Sequence, residues 1–223
     1  MKKWYQQAVF YHIYPLGFCG AQQYQQAHTT HAILKLIDWI EHLKSMNITA
    51  VYLGPVFESY EHGYDTSDYR NVDHRLGTNN DLKKVCEAFH ENGIRIVLDG
   101  VFHHVGREFW AFKDVQKNGR NSPYCNWFSN LNFSGTSPMK DAFTYDTWQG
   151  HYNLVKLNLN NEEVIQYILD SIQMWIDFFS IDGLRLDAAD CIPPTFFQRL
   201  RSFCKEQRND FWLMGEIIHG DYN

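Results

Sequence analysis

Gly183-Leu184-Arg185-Leu186-Asp187-Ala188-Ala189 is the stretch on which the fold turns. Its leucines alternate with a glycine, an arginine and an aspartate, the period-2 pattern of a short strand. Arg185 and Asp187, two apart, project from one face, so the guanidinium can hold the carboxylate ionised and in a single rotamer. A fixed carboxylate at the end of an apolar strand suits a nucleophile or a metal ligand. Two other strand ends carry the same kind of group. Upstream, residues 94–98 run into Asp99; downstream, residues 211–214 run into Gly215-Glu216.

Outward from these ends, short β-rich runs alternate with helical stripes. Residues 9–14 read as a first strand, and Ile33, Leu34, Ile37, Ile40 and Leu43 as one amphipathic helix behind it. Residues 50–54 form the second strand. Leu82, Val85, Cys86 and Phe89 line the next helix, which Asn92-Gly93 closes as a left-handed cap before the third strand. From 105 to 155 the periodicity breaks into Asn, Ser, Gly and aromatic residues, too long for an ordinary loop, and reads as an inserted subdomain with little regular structure. Val164, Ile165, Ile168, Leu169, Ile172, Trp175, Ile176 and Phe179 then line a helix. The fourth strand follows, Pro193-Pro194 open a helix bearing Phe196, Leu200 and Phe203, and the fifth strand comes last.

Five βα steps in one direction imply a parallel sheet with helices outside, either an open doubly wound sheet or part of a (β/α)₈ barrel. Asp99, Asp187 and Glu216 favour the barrel, because the carboxyl ends of its strands converge on one mouth. No Gly-rich phosphate loop follows any strand, which counts against a nucleotide-binding open sheet. The expected fold is α/β: strands one to five of a TIM barrel, with residues 1–104 supplying three strands, 105–155 the insert, and 156–223 the remaining two.

Composition narrows the partner. The 223 residues carry a formal charge of −6 and a pI near 6.0, leaving no basic face for nucleic acid. Hydrophobic residues at 44% provide an ample core, and aromatics at 16% favour stacking on sugars beyond those that simply pack inside. No run reaches the ~20 apolar residues of a membrane span. Lys2-Lys3 is followed by Gln6, Gln7 and His12 rather than by the apolar stretch of a signal peptide. Cys19, Cys86, Cys125, Cys191 and Cys204 are odd in number, widely spaced and without a Cys-x-x-Cys pair, as expected of reduced thiols in a cytoplasmic protein.

Leu98-Asp-Gly-Val-Phe-His-His104, Gly183 to Ala189 and Gly215-Glu-Ile-Ile-His219 resemble three ordered signature regions of the α-amylase family, glycoside hydrolase family 13. Gly63-Tyr-Asp-Thr-Ser-Asp-Tyr69, with Gly77-Thr78 and Asp81-Leu82 beyond it, resembles the cyclomaltodextrinase, neopullulanase and maltogenic-amylase members in particular. The resemblance implies a retaining hydrolase of α-glucosidic bonds in starch-derived oligosaccharides or cyclodextrins, working through a covalent glycosyl-enzyme intermediate. In that scheme Asp187 is the nucleophile and Glu216 the general acid and later base. Arg185 orients Asp187, and Asp99 pairs with Arg185 beneath the site. His104 donates to a hydroxyl of the sugar being cleaved, Tyr64 stacks on its ring, and Asp190 and His219 join the substrate contacts. The chemistry asks for one carboxyl ionised beside a cation and one kept protonated; Glu216 has no cation next to it in sequence.

No cofactor is expected. His103 stands where many relatives carry an Asn that helps hold a structural calcium, and imidazole is a poor ligand for a hard cation. His103 and His104, as strand neighbours, are expected to face opposite ways and so not to ligate one metal together. The family's fourth region, on a seventh strand, has no counterpart before Asn223. The chain is therefore expected to stop after the fifth barrel strand, to need another segment or chain over its open sheet edges, and to turn over α-glucans far more slowly than a complete relative. Three other functions fit the same residues: a glucan transferase of the same family, a non-catalytic glucan-binding fragment, and a metal-dependent barrel enzyme, which an arginine facing the carboxylates counts against.

Overall fold

The computed structural model describes residues 2–24 and 28–217. β1 (Phe10–Ile13) leads into a one-turn helix, α1 (Pro15–Phe18), started by Pro15 where a missing N–H costs nothing. A 3₁₀ helix (Ala32–Trp39) continues into α2 (Ile40–Ser45) and then β2 (Ala50–Leu53). An antiparallel hairpin, β3 (Phe57–Ser59) and β4 (Thr66–Val72), precedes α3 (Asn79–Glu91) and β5 (Arg95–Gly100). Next come β6 (His104–Gly106), α4 (Trp110–Asn118), β7 (Thr147–Trp148) and β8 (His151–Lys156). The last described elements are α5 (Glu162–Phe179), β9 (Gly183–Leu186), α6 (Pro194–Gln207) and β10 (Trp212–Gly215).

One five-stranded sheet, in the order β1-β2-β5-β9-β10 and parallel at every pairing, forms the frame of the molecule. Alternation sorts its residues. Val51, Leu53, Ile96, Leu98, Leu184 and Leu186 pack into the apolar core with Leu82, Val85 and Phe89 of α3, Ile172 and Ile176 of α5, and Phe196 and Leu200 of α6. The opposite face carries Tyr52, Asp99 and Arg185, and register brings the last two side by side. The sheet curls around that polar face: Phe10 of the first strand and Trp212 of the last stack at 4.5 Å between ring centroids. A parallel sheet with helices outside and a concave polar interior is five steps of a (β/α)₈ barrel.

The N-terminal turn, Trp4–Gln6, bridges the two ends of the sheet. Trp4 packs edge-on to Trp212 and its indole N–H donates to the Asp210 carbonyl at 2.9 Å. At the opposite end of the strands from the carboxylates, buried Asp182 accepts from His90, Arg95, Arg208 and the Ile96 N–H, tying α3, β5 and α6 together. All five cysteines are free thiols.

Two expectations change, and one element had none. The single helix over residues 33–43 is a 3₁₀ stretch followed by a short α-helix, in keeping with β-branched and aromatic residues at 33, 37 and 39. The hairpin of β3 and β4 has no apolar alternation to announce it; its end is held by Asp73, which takes a two-pronged hydrogen bond from buried Arg75. Residues 105–155 are more regular than their composition implies. They contain α4 and an antiparallel sheet in the order β6-β8-β7, packed by Phe112 against Phe128, Phe143 and Tyr145. Edge-to-face aromatic packing has no sequence period, so it left no helical or strand signal.

Candidate active site

Asp99, Arg185, Asp187 and Glu216 come together at the carboxyl ends of β5, β9 and β10, where adjacent strands hold them at fixed spacing. Arg185 Nη1 donates to both oxygens of Asp99, at 2.9 and 3.0 Å, and to Asp187 Oδ1 at 2.9 Å. Its other terminal nitrogen pairs with Glu216 Oε1. One guanidinium therefore serves three carboxylates. The absence of a cation beside Glu216 in sequence does not carry over into space: Arg185 lies opposite Met214 in the ladder, one strand away, and reaches the glutamate from there.

Ala188, directly after Asp187, has left-handed backbone angles (φ 46°, ψ 44°), unusual for a residue with a side chain. The kink turns its N–H toward Glu216 Oε2 at 3.1 Å. Glu216 is thus fixed by two donors. Tyr52 donates to Asp99 from below, so the buried aspartate has its acceptors occupied.

Burial and crowding oppose ionisation here. Burial first, then Glu216, push Asp99 up to about 6 against the pull of Arg185 and Tyr52. Asp187 is raised as well, by burial and then by the neighbouring charges of Asp99 and Glu216, with Arg185 opposing. The sequence-based picture of Arg185 simply holding Asp187 ionised is incomplete, because the cation is divided among three acids. Such a cluster is suited to keep a proton among its carboxyls near neutral pH.

Above the carboxylates lies a cavity of about 470 Å³ lined in part by Tyr64, His104, Arg185, Asp187, Asp190 and Glu216. Of the residues singled out from sequence, all but Asp99, which sits beneath it, and His219, which lies outside the described residues, line this cavity. Tyr64 is on the loop between β3 and β4. Asp65 holds that loop by accepting the N–H groups of Glu61 and His62, while Arg75 binds the Glu61 carbonyl at 2.8 Å. His104 is 2% exposed, and its Nε2 has no hydrogen-bond partner among the described residues; Asp187 Oδ2 is 3.9 Å away. Burial, followed by His103 and His62, lowers His104 to about 3, so the ring is neutral and keeps one donor and one acceptor. A buried polar atom without a partner, on a residue that lines a cavity, is a candidate ligand contact.

His103 and His104 do not face apart as expected: their Nδ1 atoms are 3.2 Å from each other. Their surroundings still do not suit calcium. Lys156 lines the same side cavity as His103, and its charge, after burial, lowers the imidazole to about 4. An ammonium and neutral imidazoles make a poor cage for a hard cation. Among the described residues Glu58, Asp73 and His74 have potential ligand atoms within 4.8 Å of one another, but Asp73 is already neutralised by Arg75. At the carboxylate cluster itself, Arg185 occupies the place a metal would need.

Sequence reasoning missed His62, Trp148, His151 and Asn153, which complete the cavity wall. The available signal was Trp148-Gln149-Gly150-His151, a glycine turn between two ring-bearing residues in an otherwise aperiodic stretch.

A family model described as the alpha amylase catalytic domain matches residues 13–223. A cyclomaltodextrinase of a Bacillus species is 34% identical over 232 residues, which is 97% of this chain and 41% of that enzyme. The maltogenic alpha-amylase of Bacillus acidopullulyticus is 37% identical over 185 residues, covering 82% of this chain and 31% of the relative. Among solved structures, the cyclic α-maltosyl-(1→6)-maltose hydrolase of Arthrobacter globiformis superposes with a TM-score of 0.85 at 35% identity, over 96% of this chain and 52% of its own. The chain spans about two fifths of the length of the curated relatives it matches over most of its length.

Proposed function

The chain belongs to the α-amylase family, and from that premise we propose that its carboxylate cluster serves a retaining glycoside hydrolase acting on α-glucosidic bonds of maltooligosaccharides or cyclodextrins. The observation that carries the proposal is Asp187 and Glu216 bound to the two terminal nitrogens of one guanidinium, in a cavity that buried His104 also lines. Retention requires the two carboxyls at short range, roughly 5–5.5 Å, so that one can attack while the other protonates the leaving oxygen. Sharing Arg185 brings both carboxyls to one guanidinium, the arrangement a short separation would need.

In the first step Asp187 attacks the anomeric carbon and Glu216 gives its proton to the departing glycosidic oxygen. In the second, Glu216 takes a proton from water, and the water displaces the ester to Asp187. Arg185 and the Ala188 N–H hold Glu216, and Arg185 holds Asp187 in one rotamer. Neutral His104 contacts a sugar hydroxyl and Tyr64 packs on the ring. Asp190, and His219 as the motif implies, complete the contacts. No step calls for a metal. A cyclomaltodextrinase relative, and a cyclic α-maltosyl-(1→6)-maltose hydrolase solved in complex with that cyclic sugar and with maltose, support the α-glucan assignment. A cytoplasmic site of action draws support from a relative described as an intracellular maltogenic amylase. Among the described residues no helix is long and apolar enough to cross a membrane.

The test is Asp187→Ala in the chain fused to the remaining barrel strands of a full-length relative, since it spans about two fifths of those relatives. Turnover of maltotriose and β-cyclodextrin should fall by several orders of magnitude while maltooligosaccharide binding persists; near-normal turnover would remove Asp187 as nucleophile.

A further inference from the structure

Tyr52, on β2, is tied to the carboxylate cluster from beneath. Its ring lies flat against His12 of β1, with centroids 4.3 Å apart and planes 12° from parallel, and the Arg185 guanidinium sits 5.8 Å from the ring centroid. Its hydroxyl donates to Asp99 Oδ2 at 2.5 Å, the oxygen that Arg185 Nη1 also reaches at 3.0 Å. Stack and hydrogen bond together hold the phenol in one orientation. Around this buried pair, among the described residues, stand His12 from β1, Tyr64 from the β3–β4 loop, Arg185 and Asp187 from β9 and its end, and Glu216 from the end of β10. Tyr69 of β4 and His104 of β6 lie beyond, toward Asp187. Partial burial and then Arg185 lower His12, so at neutral pH it adds no charge.

We propose that Tyr52 is a positioning residue for the proton of the cluster: by donating to Asp99 it keeps that carboxylate in the anionic form that binds Arg185, and leaves the proton to Asp187 and Glu216. The inference rests on the hydrolase reading above and deepens it. Three carboxyls around one guanidinium do not all ionise readily in a buried site, so one of them retains a proton near neutral pH. Which one retains it matters. On Glu216 the proton can reach a leaving oxygen, whereas on Asp99, beneath the cavity, it is out of reach. Asp99 is the most deeply buried of the three, so burial alone would put the proton there. The phenol and Arg185 both present hydrogens to Asp99, and a proton on that carboxyl would have to displace one of these bonds. Burial pushes Asp99 up, and Arg185 and then Tyr52 restrain it to about 6. Losing one hydrogen bond from a charged group raises it further, by roughly one pH unit, so that Asp99 becomes substantially neutral at pH 7. A neutral Asp99 no longer presses on Asp187, and the pair above then titrates at lower pH.

Tyr52→Phe keeps the ring on His12 and removes only the hydroxyl. In the chain fused to the remaining barrel strands of a full-length relative, the bell-shaped pH profile of kcat for maltotriose should slide about 0.5–1 pH unit to lower pH, with KM changed less than about twofold. The rate should fall roughly three- to tenfold on the alkaline side and hold on the acid side. A profile lowered equally at every pH, as a merely structural defect gives, overturns the proposal, and so does an unchanged one. The second readout needs no turnover. Carboxyl ¹³C NMR of the full chain, with Asp99 identified through Asp99→Asn, should show Asp99 titrating about one pH unit higher in Tyr52→Phe; an unmoved titration overturns the proposal as well. If Tyr52→Phe fails to fold, Asp99→Asn decides, because its amide imitates protonated Asp99 and should itself slide the profile to lower pH; a profile that stays in place counts against the role. A fused wild type without α-glucan turnover defeats the hydrolase reading, while the Asp99 titration still decides the role of Tyr52.

Discussion

Replacing Asp187 by asparagine should remove activity and at the same time stabilise the protein at neutral and alkaline pH. The side chain keeps its shape, and its remaining oxygen can still accept from Arg185 Nη1, 2.9 Å away. What disappears is one of three negative charges competing for a single guanidinium in a buried site. The carboxyl of Asp187 is raised from 3.8 to about 7. Burial, then the charges of Asp99 and Glu216, therefore make ionising this group in the folded protein costly. Placing an amide N–H₂ where a carboxyl stood returns some of this, leaving a net gain of about 1–3 kcal/mol at pH 8. The sign follows from the direction of the shift. With a raised folded pKa, the stabilisation belongs to the protonated form: it is whole below about pH 4 and lost as the pH rises through about 7. The asparagine variant should therefore match wild type near pH 4 and exceed it at pH 8. In thermal melts the difference at pH 8 would be roughly 2–4 °C per kcal/mol. Equal stability at both pH values, or a destabilised variant at pH 8, would refute the crowded-carboxylate account.

Three other outcomes follow from different parts of the molecule. Asp182, 1% exposed at its side chain, is held near 2 against its burial by hydrogen bonds from His90, the Ile96 N–H and Arg95. Its contribution is present above about pH 4 and lost as the pH falls through about 2, so Asp182→Asn should cost about 2 kcal/mol in urea unfolding at pH 7, with the deficit gone in acid. Chelating agents should leave the rate of α-glucan cleavage intact, and a metal-reversible loss would revive a metal-dependent mechanism. Gly106→Ala should lower stability and weaken maltooligosaccharide binding together, because a methyl there would sit 2.3 Å from the Asp65 carbonyl oxygen and push out the loop that carries Tyr64; wild-type melting and affinity would contradict that link.

The barrel strands were legible in the sequence because each one is a short apolar run, three of them ending on a carboxylate, and the helices between them because their apolar residues recur at helical spacing. A period of two assigns Arg185 and Asp187 to one face without any tertiary information, and the strand-end positions of Asp99, Asp187 and Glu216 place them at one mouth once the sheet is parallel. Three things were decided only by packing across the chain. Sheet register and rotamer choice gave Glu216 its share of Arg185, a cation thirty-one positions earlier in the sequence but one strand away in space. Edge-to-face aromatic contacts organised residues 105–155, and such contacts depend on ring geometry rather than on spacing along the chain. The reach of the β7–β8 tip into the cleft depends on where the whole insert docks. Local pattern thus determined which elements form and which face each residue takes, since those follow from backbone geometry a few residues long; the sharing of charge and the closing of the cavity belong to distances between strands, which only the folded chain defines.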